Sequence, residues 1–98
     1  MAKEIIWAPK ALEDYRKVFD YLTYKYDTTV ANDFTDKIVL LLGKLASGNL
    51  IFKQSETIKG VNEVLITKQN LLLYRVKNNE IELLTIFDTR QHPNKKKL

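Results

Sequence analysis

Apolar and polar residues follow one another along this chain in two rhythms, and each rhythm predicts a different kind of element. Residues 3–8, KEIIWA, are β-branched and aromatic enough for a short strand. Pro9 comes next, and a residue without an N–H fits the first turn of a helix, where that donor has no partner. From Lys10 to Tyr26, Leu12, Tyr15, Phe19, Leu22 and Tyr26 recur at intervals of three and four. The spacing predicts an amphipathic helix that buries this stripe, with Glu13 and Asp14 near its start to favour the helix dipole. YDTTVAND breaks the pattern, and Asp27, Thr28 or Thr29 can each cap a new helix. Phe34, Ile38, Leu41, Leu42 and Leu45 then mark a second stripe, which Gly48 ends as a left-handed C-cap.

Past Gly48 the rhythm shortens to that of strands: VNEVLITK (61–68), LLLYRVK (71–77) and IELLTIFD (81–88), separated by Asn70 and by Asn78-Asn79, which tolerate tight turns. Before them, residues 50–60 read as a short edge strand and then an exposed loop. The predicted fold is α+β, a short N-terminal strand and an antiparallel helical hairpin packed on an antiparallel β-meander. Residues 1–98 make one domain, with 93–98 as a flexible basic tail. In the middle run Leu72, Tyr74 and Val76 alternate with Leu71, Leu73 and Arg75, so both faces of that strand are largely apolar. Two outcomes follow from this. Either the face away from the helices receives a partner, or the sheet curves and closes on Phe52, Phe87 and Trp7.

Composition narrows the chemistry. Sixteen basic against twelve acidic residues give a net charge of +4, which suits a polyanion or an acidic protein and equally serves solubility. No run is long and apolar enough for a membrane span, and the N-terminus lacks the apolar core of a secretory signal, so a soluble cytoplasmic protein is expected. Without cysteine there is no disulfide or thiolate, and the single histidine leaves too few ligands for a typical zinc site; neither metal nor other cofactor is expected.

Four groups remain as candidates for a site. Arg75, in its apolar strand, needs an acid such as Glu63, Glu82 or Asp88 beside it, or else is kept free for phosphate or carboxylate. Arg90 and His92 follow the last strand. Histidine is a general acid or base near neutral pH and arginine stabilises a phosphorane, so the pair fits RNA cleavage through the 2′-OH, although a histidine before a proline is also an ordinary surface residue. Lys53, Lys59, Lys68 and Lys95 to Lys97 form a phosphate-tracking patch if the strands gather them. Tyr15, Tyr21, Tyr24 and Tyr26 are explained better by packing and interhelical contact than by base stacking.

The succession ALEDYRKVFDYLTYKY, ANDFTDKIVLLLGKLASGN, GVNEVLI, NLLLYRV and IELLTIFDTRQHP resembles the RelE/ParE superfamily of bacterial toxin–antitoxin toxins over nearly the whole chain. The resemblance implies a growth-inhibiting toxin of a plasmid-stabilisation type system, bound by a cognate antitoxin as a hetero-oligomer, with a homodimer as another arrangement. The long hairpin looks more like ParE-like members, which inhibit DNA gyrase without enzymatic chemistry, than like RelE-like members, which cleave mRNA on the ribosome. A relative that has lost toxicity and only binds its antitoxin is a third reading. Many relatives carry an arginine where GVNEV has Asn62, and its absence weakens the nuclease reading. By the resemblance, Arg75 and Arg90, with His92 behind them, are the catalytic candidates if the chain is a nuclease. Arg75, Arg90, Leu71, Leu73 and Lys68 are the expected target or antitoxin contacts.

Overall fold

The computed structural model describes residues 3–48, 53–91 and 95–96. The elements are β1 (Glu4–Trp7), α1 (Pro9–Lys25), α2 (Thr28–Ser47), β2 (Lys53–Gln54), β3 (Asn62–Thr67), β4 (Asn70–Lys77) and β5 (Glu80–Asp88). The strands make one sheet in the order β1-β5-β4-β3-β2, and the two helices pack against a single face of it. From β2 to β5 every pairing is antiparallel, the expected meander, whereas β1 joins the far edge parallel to β5, with Glu4 opposite Glu80.

The local signals act where the sequence places them. Pro9 opens α1; Asp27 caps α2, its Oδ1 accepting from the Val30 N–H at 3.0 Å; Gly48 ends α2 at φ +79°. Asn78 takes φ +30° in the β4–β5 turn, but Asn70 belongs to β4 and the preceding turn is carried by Lys68 and Gln69. The α1 stripe is rotated from its predicted position. Ala11 is fully buried and Tyr15, Val18 and Leu22 pack beside it, while Leu12 and Tyr26 face solvent. Small Ala11 lets the helix sit close to the sheet, a fit that spacing of large residues does not reveal. The α2 stripe follows its prediction through Phe34, Ile38 and Leu45.

Tyr15 ties the layers together: it stacks on Phe34 at 6.1 Å, meets Trp7 edge-on at 5.9 Å, and shares a 2.6 Å hydrogen bond between its hydroxyl and that of Thr35. Tyr74 lies fully buried in the same core, and burial pushes its phenol up to about 12. Asp14 does not serve the helix dipole as expected, because it lies beyond the first turn and turns inward. Its Oδ2 accepts from the Ile86 N–H at 3.1 Å, from the Thr85 hydroxyl and from the Lys10 ammonium at 3.2 Å. This occurs where β5 bulges, Leu73 pairing with Thr85 and Tyr74 with Leu83, so α1 supplies the acceptor that β1 is too short to provide.

The face away from the helices carries a second cluster, Val61, Leu73, Leu84 and Phe87, with Ile58 and Leu71 against it. Of the residues expected to close that face, Phe87 is there, Trp7 lies on the helix side, and Phe52 falls outside the described residues. The loop after β2 supplies Ile58, held by Ser55, whose Oγ accepts from the Thr57 and Ile58 N–H groups.

Candidate functional site

The cationic candidates divide between the two ends of the sheet. Arg75 alternates with Leu73 onto the face away from the helices and stands opposite Glu82, its Nη1 3.6 Å from Oε1; Lys77 reaches the same oxygen at 3.8 Å. Glu82 Oε1 is buried and accepts no hydrogen bond, so the two charges hold it through space. Glu82 is thus the partner Arg75 takes. Glu63 goes instead to Lys96, and Asp88 to Arg90.

Arg90 lies beyond β5, its guanidinium forked on Asp88 with Nε to Oδ1 at 3.0 Å and Nη2 to Oδ2 at 2.7 Å. The Arg90 N–H also donates to Oδ1, and these bonds hold the Asp88 carboxyl below the usual carboxylate range while raising Arg90 in turn. Lys68 shares this end. Its carbonyl accepts from the Thr89 hydroxyl at 2.9 Å, which stitches the β3–β4 turn to the residue before Arg90. Between Arg90, this turn and α1 lies an open cleft of about 280 Å³, lined by Lys17, Tyr21, Asn70 and Asp88 among others. The Tyr21 phenol is lowered by the Lys25 ammonium first and by Arg90 second.

Arg75 is remote from all of this. Asn70 pairs with Asp88, and from Asn70 to Arg75 the strand rises by roughly 17 Å, so Arg75 and Arg90 do not converge on one phosphate. His92 lies outside the described residues. Of the apolar contact candidates, Leu71 is half-buried and Leu73 is 0% exposed beneath Ile58 and Val61, so Leu73 presents no surface in the free chain.

Two further expectations change. Among the four helical tyrosines only Tyr15 packs in the core; Tyr21, Tyr24 and Tyr26 are 44%, 89% and 57% exposed at the tip of the hairpin, because α1 turns its Ala11 side to the sheet. The lysines do not form one patch either. Lys53 and Lys96 gather on Glu63 near the start of β3, Lys68 lies past its far end, and Lys97 is outside the described residues.

Lys96 and Glu63 form a close pair at 2.8 Å, the side chains 13% and 10% exposed, with the ammonium 5.7 Å from the Phe87 ring centroid. Burial raises Glu63, but hydrogen bonds from Lys96 and Ser55 outweigh it and hold the carboxyl below the usual range. A carboxylate depressed in the folded state contributes stability above its unfolded pKa and loses it as pH falls through the folded value. Acid titration of the melting temperature is therefore expected to show a fall below about pH 4.5 that is shallower in Glu63→Gln. An identical slope in the variant rules this pair out as its source.

Sequence reasoning missed Lys17 and the Asp88 clamp, and assigned Tyr21 to packing. The D-x-R spacing of Asp88 and Arg90 was the available signal, since residues two apart at a strand end can hydrogen-bond locally. Among the described residues no three potential metal ligands cluster. No helix among them is long and apolar enough to cross a membrane.

Two helices laid on one face of a five-stranded mixed sheet give the small α+β architecture of RelE/ParE toxins. The family model for the ParE toxin of type II toxin–antitoxin system, parDE, matches residues 5–93. The chain belongs to that family. Its structure is similar to the chromosomal ParDE toxin–antitoxin system from P. aeruginosa, at 22% identity and TM-score 0.74, covering 89% of this chain and 96% of that one. It is also similar to the YoeB dimer from Staphylococcus aureus, at 22% identity and TM-score 0.62, covering 87% and 94%. The E. coli DinJ–YafQ toxin–antitoxin complex matches at 10% identity and TM-score 0.63, covering 92% and 96%. No curated protein sequence matches the chain. At these identities the likeness to solved structures is one of fold.

Proposed function

We propose that this toxin inhibits growth by binding DNA gyrase rather than by cutting RNA, and that a cognate antitoxin neutralises it. The observation that carries the reading is the dispersal of the cationic groups: Arg75 is engaged by Glu82 at one end of the sheet and Arg90 by Asp88 at the other. A ribonuclease needs an acid, a base and a phosphate clamp within hydrogen-bond reach of a single scissile bond. An inhibitor needs only a stable surface. The end that carries Arg90, Lys68 and the exposed Tyr21 and Tyr24 has the aromatic and arginine content of a protein-binding hot spot.

The membership in the ParE family supports the gyrase reading, and the P. aeruginosa and E. coli assemblies, which pair toxin with antitoxin, support the partner. The test is a supercoiling assay with purified gyrase run beside a translating ribosome assay. The expected result is stoichiometric inhibition of supercoiling with intact mRNA, weakened about tenfold in Arg90→Ala with no change in melting, the effect of losing a hot-spot arginine at an exposed position. Cuts in ribosome-bound mRNA with supercoiling unaffected overturn the reading in favour of the ribonuclease.

A further inference from the structure

The cleft beside Arg90 continues past Lys17. A second space of about 460 Å³ opens on the other side of that lysine, and the two share Val18, Ile86 and Asp88 in their walls. Together they make one trench between α1 and the end of β5, running from Lys10 to Tyr21 and Arg90. The short first strand leaves room for it, because β1 pairs with β5 only as far as Leu83.

The lip of the trench is cationic. Among the described residues that line it, Lys10, Lys17, Lys95 and Arg90 carry positive charge, and the acids Asp14 and Asp88 are committed within the fold, Asp14 to the Ile86 N–H and Asp88 to the Arg90 guanidinium. The acid side chains are 16% and 33% exposed, against 71% for Lys17 and 59% for Arg90, so an approaching molecule meets the cations first. Lys17 pairs with Glu13 one turn back on α1, an exposed contact that a better partner displaces at little cost. Near Tyr21 the wall turns apolar, with Val18, Leu22 and Ile86. Such a surface suits an occupant that is acidic along its length and carries one apolar side chain.

Its dimensions fix the conformation of that occupant. Lys10 and Tyr21 are eleven positions apart on α1, roughly 16.5 Å along the axis. A helix about 10–12 Å across fills on the order of 1,300 Å³ over that length, more than the two spaces hold, whereas an extended chain covers it in about five residues.

We infer that the trench between α1 and β5 grips an acidic, extended segment of the gyrase, its carboxylates meeting Lys17, Lys95 and Arg90 and one apolar side chain resting on Val18, Leu22 and the Tyr21 ring. The inference rests on the reading of the chain as a gyrase inhibitor, and adds where the enzyme is held and the chemistry of the segment held. Charge at the lip sets the association rate, and the anchored side chain sets how long the complex lasts.

The experiment uses the full chain with purified gyrase and its DNA. Lys17→Glu/Lys95→Glu, Tyr21→Ser and, as a control on α2, Lys44→Glu are compared with wild type for binding to gyrase at two ionic strengths. A photoreactive benzophenone side chain in place of Tyr21 reports what lies in the trench. All four substituted positions are exposed, so melting temperatures are expected to stay at the wild-type value. Wild type is expected to bind and to lose affinity as salt rises. The lysine variant is expected to bind about tenfold more weakly with a flattened salt dependence, Tyr21→Ser about tenfold more weakly, and Lys44→Glu like wild type. The crosslink is expected in a gyrase segment rich in Asp and Glu.

Full-strength binding by both trench variants, with no crosslink to gyrase, overturns the trench assignment and leaves the gyrase reading standing. Crosslinks to DNA in place of protein overturn the acidic segment in favour of a phosphate backbone. Failure of the wild-type chain to bind gyrase removes both the inference and the reading beneath it.

Discussion

Asp14→Ala is expected to destabilise the chain by about 2–3 kcal/mol, a large share of the stability of a domain this size. The carboxylate is the shared acceptor for the Ile86 N–H, the Thr85 hydroxyl and the Lys10 ammonium, at a bulge where β5 has lost its neighbour. Thr85 is 3% exposed, so water does not readily replace what is removed. Urea unfolding measures the effect, and a drop in melting temperature of roughly 10 °C or more accompanies it. Asp14→Asn should recover part of the loss, since the amide keeps one acceptor but turns donors toward donors. A loss under 0.5 kcal/mol in Asp14→Ala would mean that α1 is held to the sheet by apolar packing alone.

Leu73→Ala carries the second large effect, about 2–5 kcal/mol, because the side chain is wholly enclosed by Val61, Leu84, Phe87 and the Ile58 loop. The same substitution separates two roles. If Leu73 only fills the second cluster, antitoxin affinity measured well below the variant's melting temperature stays at the wild-type value while stability falls. If an antitoxin displaces the loop and grips Leu73 directly, affinity falls as well, and Ile58→Ala, which loosens the loop, strengthens binding.

Much of the fold was legible because single residues carry strong local signals. Pro9, Asp27 and Gly48 delimit the helices by physics that acts within a few residues, and the alternation of 71–77 announced a central strand with two apolar faces. What the alternation left open was the cover of the second face. That cover comes from Ile58, one apolar residue in the polar stretch SETIKG, and its role appears only once the loop is folded back over β3 and β4. The misplaced α1 stripe has a similar origin. Leu12 outweighs Ala11 in any count of hydrophobicity, yet close approach to the sheet favours the smaller residue.

The site was less legible than the fold. That Arg75 needs an acid was clear from its strand, and Glu82 was among those named, but which of three acids it takes is decided by cross-strand register. Arg90 was identified without its clamp, and Asp14 without its role, because neither bonding pattern follows from periodicity. Charge counting failed for the lysines for the same reason: Lys96 spends its charge on Glu63, close to the sheet, and not on a shared surface.

The parallel pairing of β1 with β5 has a consequence for the order in which the molecule assembles. Glu4 meets Glu80, so the first strand waits for the last before either edge of that ladder can form. On a growing chain the hairpin of α1 and α2, whose contacts are local, can gather before β4 and β5, which hold most of the enclosed side chains among the described residues, have been made. The apolar sides of both helices are therefore made before the sheet that covers them. A nascent chain that stops short of β5 lacks the strand against which both β1 and β4 pair, so the surface they build together waits for it.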